Sequence, residues 1–169
     1  MEVPDEGGDT LFADAGAAYE DLSDGMKRLL GGLTGIYSPS IVHGKNGAYA
    51  HLAARSGDPE TGFGDSAAMA EMEVEHPLVR THPETGRKSI FCSRAHTHRI
   101  KDMTREESLP LLGFLDEHLR QPRYVTRFHW TEGALAMWDN RCLFHYALND
   151  YQGKRRHMLR VIVKGDRPR

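Results

Sequence analysis

No run of this sequence is apolar for long enough to cross a membrane. Its first residues, Met1-Glu2-Val3-Pro4-Asp5-Glu6, are acidic and lack the apolar stretch of a secretory leader. Cysteine is scarce. Cys92 and Cys142 stand far apart in no metal-binding spacing, which reads as buried free thiols in a reducing cytoplasm. An excess of one charge is also missing: 22 Lys and Arg against 24 Asp and Glu give a net −2. No global field therefore points to nucleic acid or an anionic membrane surface. What remains is a soluble globular composition, 39% apolar and 27% charged. The 169 residues make one domain's worth of chain, so residues 1–169 are read as a single domain.

Local signals place the elements. Glu2 to Pro4 reads as the tail of a strand, Gly7-Gly8 as a turn, and Thr10-Leu11-Phe12 as a returning strand. Asp14 caps a helix running through Leu22, and Ser23 caps another to about Leu30, which Gly31-Gly32 ends. Leu22, Met26, Leu29 and Leu33 recur at helical spacing and are expected to face a sheet. Residues 34–75 are rich in Gly and Ser and weak in apolar periodicity, and they read as a lid or insertion. A short helix is expected between Ser66 and Glu75, and His43 and His51 are read as surface residues. Pro77 to Thr81 and Lys88 to Cys92 form strands around a turn at His82 to Arg87.

Beyond that hairpin, His96 and His98 stand at i and i+2, which in a strand would put both on one face for a metal. No carboxylate stands near them at suitable spacing. Thr104-Arg105-Glu106-Glu107 matches a capping box, opening a helix with Leu109, Leu112, Leu115 and Leu119 on one stripe. Pro110 pushes its expected start to Ser108. Tyr124 to Trp130 and Ala134 to Trp138 read as two more strands. Many short strands with few helices make a β-rich α+β domain.

Chemistry concentrates between Trp138 and Arg160. His145 lies in a strand-like run from Cys142 to Leu148, a polar turn spans Asn149 to Gly153, and a second strand is expected from Arg156 to Val163. Paired as a hairpin, these runs let His145, Arg156 and Arg160 converge on one cavity. A neutral imidazole there binds a metal, and each guanidinium fork grips a flat anion. The alternative is a strand histidine satisfied by a backbone carbonyl beside a solvated edge strand.

The same stretch resembles the C-terminal signature of the iron(II)- and 2-oxoglutarate-dependent dioxygenases of the taurine and (2,4-dichlorophenoxy)acetate (TauD/TfdA) family. The likeness extends through Gly7-Gly8-Asp9-Thr10-Leu11-Phe12, Ala17-Ala18-Tyr19, His76 to Pro83, Trp138-Asp139-Asn140-Arg141 and Gly165-Asp166-Arg167-Pro168. It implies a double-stranded β-helix, the jelly-roll of the cupins. His145 then falls at an iron ligand, Arg156 and Thr10 at the 2-oxoglutarate carboxylate, and Arg160 and His96 at an anionic substrate. The implied reaction hydroxylates a small sulfonate, carboxylate or aryloxyalkanoate, with iron(II), 2-oxoglutarate and O2 consumed or bound and succinate and CO2 released.

In that family the other two iron ligands form a His-x-Asp motif before the Gly-Gly-Asp-Thr segment. Here the only histidine followed two positions later by an acid is His82-Pro83-Glu84, in a turn. The resemblance therefore implies an N-terminally truncated member. Either it is a dioxygenase whose His-x-Asp segment lies outside this sequence, or it is a non-catalytic homologue that at most binds 2-oxo acids. Unpaired strand edges would favour a homo-oligomer.

Overall fold

The computed structural model of the protein describes residues 2–38 and 73–169. The lid assigned to 34–75, the helix expected from Ser66, and His43 and His51 thus fall wholly or largely outside the described residues. In chain order the elements are β1 (Thr10–Asp14), α1 (Ala15–Glu20), α2 (Asp24–Leu30), β2 (Thr34–Tyr37), β3 (Val74–Pro77), β4 (Val79–Thr81) and β5 (Lys88–Ile90). Then follow β6 (Thr97–Ile100), α3 (Arg105–Leu119), a 3-10 turn (Pro122–Tyr124), β7 (Val125–Phe128) and β8 (Leu143–Ala147). They divide between two compact units.

The first unit holds Met1–Leu22, Arg80–Ile90 and His118–Pro168. Its sheet runs β7-β1-β8, antiparallel throughout, with Phe12 opposite His145 and Thr10 opposite both Phe128 and Ala147. Two glycines bring the chain into β1 with positive φ, Gly7 at 78° and Gly8 at 72°, a conformation closed to most other residues. Asp14 ends β1 and caps α1, its Oδ1 accepting from the backbone N–H of Gly16 at 2.9 Å and Ala17 at 3.0 Å. A β4–β5 hairpin turns at His82 to Arg87, where His82 N–H donates to the Arg87 carbonyl at 2.8 Å.

The second unit holds Ser23–Val79, Phe91–Glu117 and Arg169, with a sheet ordered β3-β2-β6, again antiparallel. Gly35 is required at its centre: a Cβ there would lie 2.8 Å from both Leu78 Cδ2 and the Tyr37 ring. The expected capping box forms, Thr104 N–H donating to Glu107 Oε2 at 2.8 Å and Glu107 N–H to Thr104 Oγ1 at 3.2 Å. Buried Ser108 ties α3 to β6, accepting from the Ile100 N–H at 2.9 Å while donating to the Thr104 carbonyl at 2.7 Å.

Several expectations change. The long helix starts at Arg105, not Ser108, and carries Pro110 inside it; the capping box at Thr104 outweighs the N–H that Pro110 lacks. Leu112, Leu115 and Leu119 of its stripe are buried, each contributing about 1.5–3 kcal/mol, while Leu109 is 42% exposed. In α2 it is Leu30 that is buried, and Leu29 is 52% exposed. Ala134 to Trp138 is not a strand, and neither is Arg156 to Val163. A strand exists only where a neighbour takes its backbone hydrogen bonds, and among the described residues the later segment meets one such partner, in an antiparallel bridge between His157 and Glu2. β8 pairs with β1 instead of forming the expected hairpin with 156–163.

Candidate functional site

β1 and β8 set the geometry. Directly opposed residues of an antiparallel pair point to the same side, and so do residues two apart. Thr10 and Phe12 therefore share one face with His145 and Ala147. On β7 the same face carries Phe128 and Thr126. The His145 ring lies 5.2 Å from the Trp138 ring and 6.5 Å from that of Phe12, centroid to centroid. Among the described residues no hydrogen-bond partner occupies either of its nitrogens. Partial burial against these rings pushes its pKa below 6.5, and the positive charge of Arg160 pushes it further down. The ring is consequently neutral near pH 7 and offers a free lone pair. That same charge effect puts Arg160, itself exposed, within electrostatic range of His145.

Thr10 is buried, 5% exposed. Its Oγ1 accepts from the indole N–H of Trp130 at 2.9 Å, an anchor that the sequence did not reveal. A hydroxyl that accepts in this way still has its own hydrogen to donate, and no acceptor for it stands among the described residues. Arg156 folds back onto the entrance of β1: its Nε donates to the Gly8 carbonyl at 2.9 Å, and its guanidinium carbon lies 6.0 Å from the Tyr151 ring centroid. Gly8 is also held by Asp150, whose Oδ1 accepts its N–H at 2.7 Å. Buried Asp9 accepts hydrogen bonds from Arg127 Nε and, at 2.8 Å, bonds His129 Nδ1. The Arg127 bond first, then His129, hold its carboxyl below the ordinary carboxylate range. These contacts hold the backbone leading into Thr10 and seat the Arg156 side chain against it.

The Trp138-Asp139-Asn140-Arg141 signature is built as a clamp. Asp139 Oδ1 accepts from the Arg141 backbone N–H at 2.8 Å, and Arg141 Nη2 reaches Asp139 Oδ2 at 2.7 Å. His82 Nε2 meets the same Oδ2 at 3.0 Å. His82 Nδ1 accepts the N–H groups of Glu84 and Thr85 at 3.3 and 3.2 Å, so Nε2 carries the proton and donates to Asp139. Both ring nitrogens are thereby committed within this clamp. Arg141, more than any other group, holds the Asp139 carboxyl well below its usual range.

His96 belongs to the second unit. It lies exposed in the turn before β6, its carbonyl accepting from Ser38 N–H at 2.9 Å. β6 begins only at Thr97, so the one-face geometry suggested for His96 and His98 does not arise.

A resident ferrous ion needs more than His145. Among the described residues no group of three His, Cys, Asp or Glu side chains could hold a metal ion. The residues present offer one imidazole, an unshared hydroxyl hydrogen and two arginines, which suits a carboxylate ligand but does not complete an iron site.

Comparison with known proteins agrees with the signature segments. The model of the family described as "Taurine catabolism dioxygenase TauD, TfdA family" matches residues 1–162. This chain belongs to that family. A Schizosaccharomyces pombe protein named for alpha-ketoglutarate-dependent sulfonate dioxygenation is 40% identical over 169 residues, covering 99% of this chain and 40% of that one. The alpha-ketoglutarate-dependent 2,4-dichlorophenoxyacetate dioxygenase of a Burkholderia species is 38% identical, covering 99% and 52%. The crystal structure of AAD-2 in complex with Mn(II) and N-oxalylglycine superposes with a TM-score of 0.70 at 31% identity, covering 93% of this chain and 57% of that one. A taurine dioxygenase from Burkholderia xenovorans gives 0.68 at 32% identity, covering 89% and 44%. The chain spans about half the length of the curated relatives it matches.

Proposed function

We propose that this chain is part of an iron(II)- and 2-oxoglutarate-dependent dioxygenase of the jelly-roll kind, acting in the cytoplasm on a small anionic organic acid. Its reaction hydroxylates a sulfonate, sulfate ester or aryloxyalkanoate while 2-oxoglutarate goes to succinate and CO2. The observation that carries this reading is the shared face of β1 and β8, with a buried hydroxyl at Thr10 and a neutral imidazole at His145 that has no hydrogen-bond partner among the described residues. Thr10 donates its free hydrogen to the co-substrate carboxylate, and Arg156, already seated on Gly8, neutralises it. Arg160 takes the substrate anion. His145 serves as one metal ligand. We assign the two remaining ligands to a His-x-Asp segment outside this sequence.

A second reading has one observation in its favour: the lack of a three-ligand group among the described residues. In it the chain binds 2-oxo acids without turning them over. Succinate formation from 2-oxoglutarate, measured with added iron(II) against a panel of sulfonates, sulfate esters and aryloxyalkanoates, separates the two. Turnover stimulated by one class of acid supports the dioxygenase. Saturable binding of N-oxalylglycine with no succinate from any acid supports the second reading.

A further inference from the structure

The second unit contains a cavity of about 170 Å³ that the proposed dioxygenase site does not use, lined by Arg94, Thr97, His98, Arg105, Leu109 and Leu112. Arg94 comes from the turn before β6, His98 from β6 itself and Arg105 from the first position of α3. Two guanidinium groups and an imidazole meet here, and no acidic residue lines the cavity among the described residues. Their neighbours are treated differently: Arg99 pairs with Glu73 at 3.6 Å and Lys101 with Glu75 at 2.8 Å. Neither Arg94 nor Arg105 has such a carboxylate among the described residues. The remaining wall is apolar. Leu112 is buried, while Leu109 stays 42% exposed although it shares the stripe of Leu112 and Leu115. Thr97 adds little polarity, because its Oγ1 already accepts from Ser93 N–H at 3.1 Å.

We propose that this cavity is a second binding site for an organic oxyanion, a carboxylate or sulfonate on a short apolar body. The two guanidinium forks and the His98 ring take the oxygens through charge-assisted hydrogen bonds. Leu109 and Leu112 cover the body, which explains why an apolar side chain is left open beside two arginines that have no carboxylate partner among the described residues. The ligand's charge also relieves the repulsion between the arginines. This proposal stands independently of the site at Thr10 and His145.

Benzenesulfonate is the probe, titrated into the whole chain and followed by amide and side-chain NMR. The titration runs in an Arg156→Ala/Arg160→Ala background so that both anion-binding arginines proposed for the first unit are removed. Saturable shifts at 94–98 and 105–112 are expected, with an affinity that falls about tenfold in the Arg94→Gln/Arg105→Gln double variant. Both arginines are exposed, and the circular dichroism of the double variant should match that of its parent. Leu109→Ala should weaken benzenesulfonate and leave inorganic sulfate unchanged. Shifts confined to other residues overturn the proposal. So does unchanged affinity in the Arg94→Gln/Arg105→Gln variant, loss of all binding in the Arg156→Ala/Arg160→Ala background, or sulfate binding as tightly as benzenesulfonate.

Discussion

The indole N–H of Trp130 donates to the hydroxyl of Thr10 across 2.9 Å, and both residues are buried. The bond fixes the oxygen and leaves its hydrogen to face whatever occupies that side of the sheet. Thr10→Val keeps the β-branched shape, strands the Trp130 N–H and should cost about 1–3 kcal/mol in urea unfolding. Thr10→Ser should restore most of that stability, together with N-oxalylglycine binding. A Thr10→Val protein of unchanged stability and affinity would show that the hydroxyl does neither job.

Gly8 has φ of +72°, and a Cβ on it would lie 2.9 Å from Arg156 Cδ. Gly8→Ala should therefore both strain the turn, by about 1–2 kcal/mol, and displace Arg156 from the Gly8 carbonyl. Affinity for 2-oxoglutarate should fall by more than the stability change accounts for. Loss of stability alone, with affinity kept, would separate Arg156 from the co-substrate.

The pKa of His145 lies below 6.5, first because the ring is partly buried and then because Arg160 is positive. An NMR titration of the ring should show the low value, and Arg160→Gln should raise it. The sign for stability follows: the unfolded chain binds this proton more readily, so stability is gained as pH rises from the depressed pKa to 6.5. A His145 pKa unmoved by Arg160→Gln would place that guanidinium elsewhere.

The Asp139 clamp gives an acid-side prediction. Its carboxyl is held below the ordinary 3.8 by Arg141 first and His82 after. Its stabilising effect is fully present above that value and is lost as pH falls through the depressed folded pKa. Asp139→Asn should lower stability at pH 7 and flatten the acid limb of the stability curve below pH 4. An acid limb as steep as in the parent chain would assign that limb to other carboxylates.

Where signals are local, the sequence was readable. The side-chain caps of Asp14, Ser23 and Thr104 with Glu107 form as the residues suggested, because a cap needs only three or four neighbouring residues. Strand pairing needs partners far along the chain. Ala134 to Trp138 and Arg156 to Val163 have strand composition yet form no strand, the second keeping only the His157–Glu2 bridge among the described residues, and Leu135 and Val161 are each 91% exposed. The clamp on Asp139 was half legible: its bond to the Arg141 backbone spans two residues, whereas His82 reaches it across 57. The Trp130 anchor for Thr10 lies 120 residues away, and nothing in the spacing announced it.

The central claim is that Thr10, His145 and Arg156 serve one pocket for a 2-oxo diacid. Calorimetric titration of N-oxalylglycine into the parent chain, Arg156→Ala and Arg160→Ala tests it most directly. The account predicts saturable binding to the parent, at least about tenfold weaker binding to Arg156→Ala, and little change in Arg160→Ala. Equal affinity of the parent and Arg156→Ala would contradict it.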